Sequence, residues 1–212
     1  MAIALIGRRV LLWHGRIQES QAMPNAEEGI ANFVQRGEIR VGGLRMCLFE
    51  IAGGFYSIRE ELERTIGPAT STIIYHAGVN SGKRFVSSAA RIGMIKRGAG
   101  GLADCIDIYS QAGFGDFTIV ETDHSVPRVL VECTSPIAFE AFAFKENNST
   151  AKVPVCDYSR GVFAGFYQQL VGRHDVMCVE SHCRASGSSR CVFEIGRQDR
   201  LMAVAMSVRA KV

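Results

Sequence analysis

The chain has 212 residues, enough for one large domain or two small ones. Lys and Arg number 24 against 21 Asp and Glu, a formal charge of +3 that is too small and too scattered for direct nucleic-acid binding. Hydrophobic residues make up 47%, which supports a substantial core and argues against general disorder, yet no apolar run approaches the roughly 18 residues of a membrane span. Arg8 and Arg9 follow the short apolar opening rather than precede it, the reverse of a secretory signal, so a cytoplasmic protein is expected.

Residues 1–36 carry weak signals. Arg9 to Trp13 suits a short strand, and Ala26 to Val34 suits a short helix with Asn25 as its cap. The segment is apolar enough around Val10 and Trp13 to serve as a dimerisation element. From Glu38 the pattern sharpens. Ile39–Val41 and Met46–Ile51 flank Gly42-Gly43 and predict a hairpin. Ser57 and Glu60 have the spacing of a capping box, with Ile58, Leu62 and Ile66 following at helical intervals up to Gly67-Pro68. A longer helix is predicted over 69–90, with Ile73, Ile74, Ala77, Ser81 and Phe85 along one side; Gly78 and Gly82 on it call for a close neighbour. Leu102 to Ala112 is a further helix.

Strands are predicted at Asp116–Glu121 and Arg128–Cys133, joined by a turn at Asp123–Pro127, and then a helix from Pro136 to Phe144. A polar loop over 145–152 leads to a helix that Asp157 can cap and Gly172 ends. Its apolar face is Val162, Phe163, Phe166, Tyr167 and Leu170, and Gly161 and Gly165 permit close packing. Val176–Ser181 and Arg190–Ile195 form a last hairpin, and residues 198–212 are a basic tail. The sum is an α+β fold: an antiparallel sheet with helices packed on one side. Gly78 to Lys83 imitates a phosphate loop, but it is one residue short between its glycines, has Arg84 in place of Ser or Thr, and sits inside a helical period.

Seven cysteines in a chain without a secretion signal do not make a disulfide framework. Cys47, Cys105 and Cys133 are dispersed, whereas Cys156, Cys178, Cys183 and Cys191 cluster. Cys156 precedes a helix, Glu180 and Cys183 end one strand, and Cys191 begins the next. Three thiolates and a carboxylate would fill a closed tetrahedral zinc site, structural rather than catalytic, clipping the hairpin to the helix start. Glu180 and Cys183 cannot share one face of a regular strand, so the chain must turn near Ser181–His182. Arg173, Arg184 and Arg190 are placed to offset the net −2 that ligands and ion would sum to. The alternative is a set of buried thiols, with His182 and Cys178 as rival ligands.

Pro154-Val-Cys156, Gly161, Gly165, Leu170-Val-Gly172 and the series Glu180, Cys183, Gly187, Cys191, Phe193-Glu194 resemble the 4-vinyl reductase domain family. Gly113 to Glu121 and Val131 to Glu140 resemble its two middle strands. Gly42 to Met46 and Leu62 to Gly67 are similar to the related sensor domains of phenol-responsive bacterial transcription activators. The resemblance spans residues 37–197. It implies structural Zn²⁺ on Cys156, Glu180, Cys183 and Cys191, an α+β fold similar to haem-based nitric-oxide sensors and trafficking subunits, a homodimer, and a small hydrophobic or aromatic ligand. Phenol sensors grip a hydroxyl with His and Trp. Here the single Trp is Trp13, and the corresponding candidates are Gln111 and Cys133, so a more apolar pocket is expected, lined by Gln111, Cys133, Phe163, Phe166 and Tyr167. Plain core packing suits the same aromatics.

Three functions compete. The first is a zinc-stabilised ligand-binding or sensing domain without chemistry of its own; the chain shows no DNA-binding element or ATPase module. The second is a bacteriochlorophyll-type 4-vinyl reductase or a tetrapyrrole carrier. Vinyl reduction needs a hydride source, and no nicotinamide or flavin site is recognisable. The third is an adaptor, resting on fold analogy alone.

Overall fold

A computed structural model describes residues 33–35, 38–41, 44–47, 49–123, 128–145 and 150–210. Most of the expected N-terminal segment 1–36, including Trp13, lies outside the described residues, as do the expected turn at 124–127 and part of the polar loop. The end of the helix expected over 26–34 is instead extended, within β1 (Phe33–Gln35).

Strand β1 pairs with β2 (Glu38–Val41), and β2 with β3 (Leu44–Met46), all antiparallel. The hairpin around 42–43 is present, but its second strand lies earlier than Met46–Ile51. Ile51–Phe55 instead form a wide helical turn that runs into α1 (Tyr56–Ile66). This moves the helix start upstream of Ser57. The expected capping box is not made: Phe55 occupies the cap position without a side-chain bond. The carboxylate of Glu50 does the capping, accepting the N–H groups of Gly53 and Gly54.

Helix α2 (Ala69–Arg91) and α5 (Asp157–Val171) make the most extensive inter-helix packing of the molecule. Gly78 and Gly82 face the backbone of Tyr158 to Phe166, and Gly161 and Gly165 face the carbonyls of Tyr75 and Val79. A Cβ at any of the four would overlap a backbone carbonyl, so the two helices touch main chain to main chain. The buried face of α2 is therefore Thr70, Gly78, Val79, Gly82, Val86 and Ala89. The face expected from Ile73 and Ala77 is the more exposed one.

Helix α3 (Gly101–Tyr109) ends in a wide turn over Ser110–Phe114 and leads to the main sheet. Strands β4 (Phe117–Asp123), β5 (Arg128–Cys133), β6 (Val176–His182) and β7 (Cys191–Arg197) lie in the antiparallel order β4-β5-β7-β6. Two hairpins thus sit side by side, with α4 (Ile137–Lys145) and α5 between them in sequence. One sheet face turns Val129, Val131, Cys133, Cys191, Phe193 and Ile195 onto the helices. Phe163 of α5 meets Phe117 and Phe193 edge-on at ring distances of 5.0 and 5.3 Å. Asp157 opens α5 but does not cap it; the cap position is Cys156. Gly172 closes the helix at φ 66°, a left-handed conformation that glycine adopts without strain. The expected tail is largely helical: α6 (Gln198–Ala210) docks on β6 and β7 through buried Leu201.

Candidate metal centre and adjoining cavity

Cys156, Glu180, Cys183 and Cys191 converge, one ligand atom from each lying within 4.8 Å of all the others, and all four residues are buried. Local structure explains the convergence. A bulge between Glu180 and His182 breaks the alternation of β6 where the sequence demanded a turn. Glu180 therefore faces inward beside Phe193, and Cys183 turns back toward the same point. A short helical turn over Arg184–Ser186 and Gly187 at φ 93° then returns the chain to Cys191. The Cys183 carbonyl fixes this turn by accepting the N–H groups of Ser186 and Ser188 at 3.1 Å. The stretch before α5 is held to the same turn, since Ala151 N–H donates to the Ala185 carbonyl at 2.7 Å.

The Cys156 and Cys191 sulfurs are 3.8 Å apart. The backbone N–H of Arg184 donates to Cys191 Sγ at 3.3 Å, and that of Cys156 to Glu180 Oε2 at 3.2 Å. Glu180 Oε1 is buried with no hydrogen-bond partner among the described residues. Burial first, then the charge of Cys183, pushes the Glu180 carboxyl well above its ordinary range. Hydrogen bonds from Cys156 and Cys191 hold the Cys183 thiol well below its usual range. Four acidic groups this close and this dry repel one another's charge, and a divalent cation reverses that by favouring the ionised form of each. Three sulfurs and an orphaned carboxylate oxygen, all buried, can hold a metal ion.

Cys178 faces the core at 0% exposure, where burial raises its pKa, and His182 is exposed with Nδ1 against Ser181 Oγ. Neither belongs to the cluster. The arginines expected to balance its charge are directed elsewhere. Arg173 pairs with Asp175, and Arg190 pairs with Glu132. The Arg184 guanidinium reaches the Thr134 carbonyl and the Phe139 ring, so only its backbone N–H serves the cluster.

Beside the cluster lies a cavity of about 200 Å³, walled by Ile58 and Leu62 of α1, Ile74 and Ala77 of α2, Ala141 of α4 and Tyr158 of α5. Its lining is almost wholly apolar. Arg59 is its one charged lining residue and is already engaged: it donates to Glu63 at 2.8 Å, to Asp157 at 2.9 Å and to the Val155 carbonyl at 3.1 Å. Asp157, almost fully buried, also takes Ser71 at 2.6 Å and Arg160 at 2.8 Å.

The expected pocket residues do not surround this cavity. Gln111 is exposed and bonded to Asp107. Cys133 is buried opposite Cys191 in the sheet. Phe163, Phe166 and Tyr167 are buried in the core cluster. Arg59, Tyr158 and Ser159, which do line it, carried no sequence signal of their own. The cavity joins elements far apart in the chain, α1 and the start of α5 among them, and local periodicity does not report such a meeting.

The family model of the 4-vinyl reductase domain matches residues 143–197, a stretch that contains all four residues of the buried cluster. No curated protein sequence matches the chain. Among solved structures it is similar to the phenol-responsive sensory domain of the transcription activator PoxR, determined with phenol. The TM-score is 0.69 at 20% identity, over 82% of this chain and 90% of that one. It also matches a vinyl-4-reductase family protein from Methanocaldococcus jannaschii, with TM-score 0.43 and 17% identity over 68% of this chain and 76% of that one. A third match is a trafficking protein particle complex subunit 3 from Naegleria fowleri covalently bound to palmitic acid, with TM-score 0.48 and 12% identity over 68% and 90%. The first of these likenesses establishes a shared fold.

Proposed function

We propose that this chain is a zinc-stapled domain that binds a small hydrophobic or aromatic molecule, with Cys156, Glu180, Cys183 and Cys191 as the structural zinc ligands. The observation that carries the proposal is the division of labour over five consecutive residues. Val155 lines the cavity, Cys156 belongs to the sulfur cluster, Asp157 anchors Arg59, and Tyr158 and Ser159 line the cavity again. The metal would clip the β6–β7 turn to this segment and so fix one wall of the cavity. Closed Cys₃Glu coordination leaves no open position, so the ion would supply cross-linking rather than chemistry.

The volume suits the ligand class. An apolar cavity of ~150 Å³ accommodates benzene, so about 200 Å³ accommodates one ring with a short substituent. The likeness to a phenol-binding sensory domain supports the same class. A tetrapyrrole is several times too large for this space, which disfavours the carrier and reductase readings.

The test is metal analysis and native mass spectrometry of protein purified without chelator, alongside Cys183→Ser and Cys178→Ser. The expected result is one zinc per chain in the wild type and in Cys178→Ser, and none in Cys183→Ser. Full zinc occupancy in Cys183→Ser, or none in the wild type, overturns the proposal.

A further inference from the structure

The cavity is apolar except at one end, and that end shows an unbalanced hydrogen bond. Ser159, 2% exposed, lines the cavity, and its Oγ lies 3.1 Å from the Tyr109 hydroxyl. Tyr109 is 7% exposed, and its ring is enclosed by Phe114, Phe117, Phe163 and Phe166. For each hydroxyl the other is the one hydrogen-bond partner among the described residues. Two hydroxyls carry two hydrogens, and a single bond between them uses one. The phenol is the stronger donor, so Tyr109 donates to Ser159. The hydrogen left over is that of Ser159, the member of the pair that borders the cavity. A buried donor without an acceptor is costly, and a ligand oxygen placed in the cavity would satisfy it.

We infer that the cavity selects an uncharged, single-ring molecule bearing one hydrogen-bond acceptor, which Ser159 binds while Tyr109 fixes the direction of the serine hydroxyl. The inference rests on the reading of this cavity as the ligand site and adds the chemistry of the ligand. Charge is selected against. Arg59, the charged lining residue, is engaged by Asp157 and Glu63, so an anion entering an apolar space would find no cation waiting for it.

The experiment compares two molecules of nearly the same shape, acetophenone and α-methylstyrene, in which a carbonyl oxygen replaces a terminal methylene. Benzoate serves as the charged control. Affinities are measured by calorimetry on the full chain for wild type, Ser159→Ala, Tyr109→Phe and Ala77→Phe. Ala77 is exposed at the rim of the cavity, so a ring there obstructs the space without demanding room in the core. Wild type should prefer acetophenone by about tenfold, the worth of one net hydrogen bond. Ser159→Ala should bind both molecules equally, Tyr109→Phe should retain part of the preference, and Ala77→Phe should weaken both. Equal binding of the two by wild type, an undiminished preference in Ser159→Ala, or benzoate binding as tightly as acetophenone overturns the inference while leaving the cavity as the site. Binding that Ala77→Phe leaves untouched, or no binding at all, removes the cavity reading with it.

Discussion

Glu180 shows what the buried cluster asks of a single residue. Its Oε2 accepts the Cys156 N–H, whereas its Oε1 has no hydrogen-bond partner among the described residues and is shut away from solvent. Leaving such an atom unsatisfied costs about 1–3 kcal/mol, more when it is charged. The proposed zinc removes this cost by taking the free oxygen as a ligand. Glu180→Gln keeps the shape and the accepting oxygen but withdraws the charge. Loss of an outer-shell partner alone weakens metal binding by about 10–100-fold, so loss of a ligand charge should weaken zinc by at least that much. Competition with a chromogenic chelator measures it, with Cys178→Ser as a buried-thiol control that should match wild type. Zinc held by Glu180→Gln as tightly as by wild type would remove the carboxylate from the coordination sphere. The sign with pH follows: the ligands bind metal only when deprotonated, so zinc is retained at neutral pH and released as pH falls.

Among the elements, the α2–α5 crossing sets the geometry that the site depends on. Main-chain contact at Gly78, Gly82, Gly161 and Gly165 leaves no space for a methyl group. Gly161→Ala must therefore push the helices apart, and overpacking of this kind costs about 1–3 kcal/mol. Thermal unfolding should show a clear fall in Tm for Gly161→Ala but almost none for Gly100→Ala, whose added Cβ meets nothing within 4 Å. An unchanged Tm in Gly161→Ala would mean that the crossing is looser than described. The glycines were legible in the sequence as a demand for a close neighbour, and so were α5 and the β6–β7 hairpin, whose periods and end signals agree. The buried face of α2 was not, because Ile73 and Ile74 outweigh glycine on any count of apolar residues. Burial was decided instead by how closely two backbones can approach. Ser57 and Glu60 misled for a related reason: they match a capping pattern, but the wide turn over Ile51–Phe55 starts the helix earlier and gives the cap to Glu50.

Across the whole molecule, cluster and cavity share one rigid segment, and this has a thermodynamic consequence. Val155 to Ser159 is held from the sheet side by Cys156, from α1 by Arg59, and from α2 by Ser71 through Asp157. The far end of α5 is anchored as well, since Gln168 donates to the Val176 carbonyl at 2.6 Å. The cluster could be anticipated from sequence because its four chemically unusual residues all lie between Cys156 and Cys191. The cavity could not, because its walls are ordinary apolar residues assembled only by the tertiary fold. If the metal orders residues 155–159 and the ligand packs against the same residues, each pre-organises the site for the other. Linkage then requires that ligand and metal strengthen each other's binding by the same factor, with coupling free energies of this kind commonly about 1–3 kcal/mol. Saturating acetophenone should therefore slow chelator-driven zinc loss and raise zinc affinity. Zinc-depleted protein that remains folded should bind acetophenone more weakly by an equal factor. Calorimetry of each partner in the presence and absence of the other closes the cycle. Zinc affinity indifferent to ligand would show that the cavity wall keeps its form without the metal, leaving the ion as a staple for the hairpin alone.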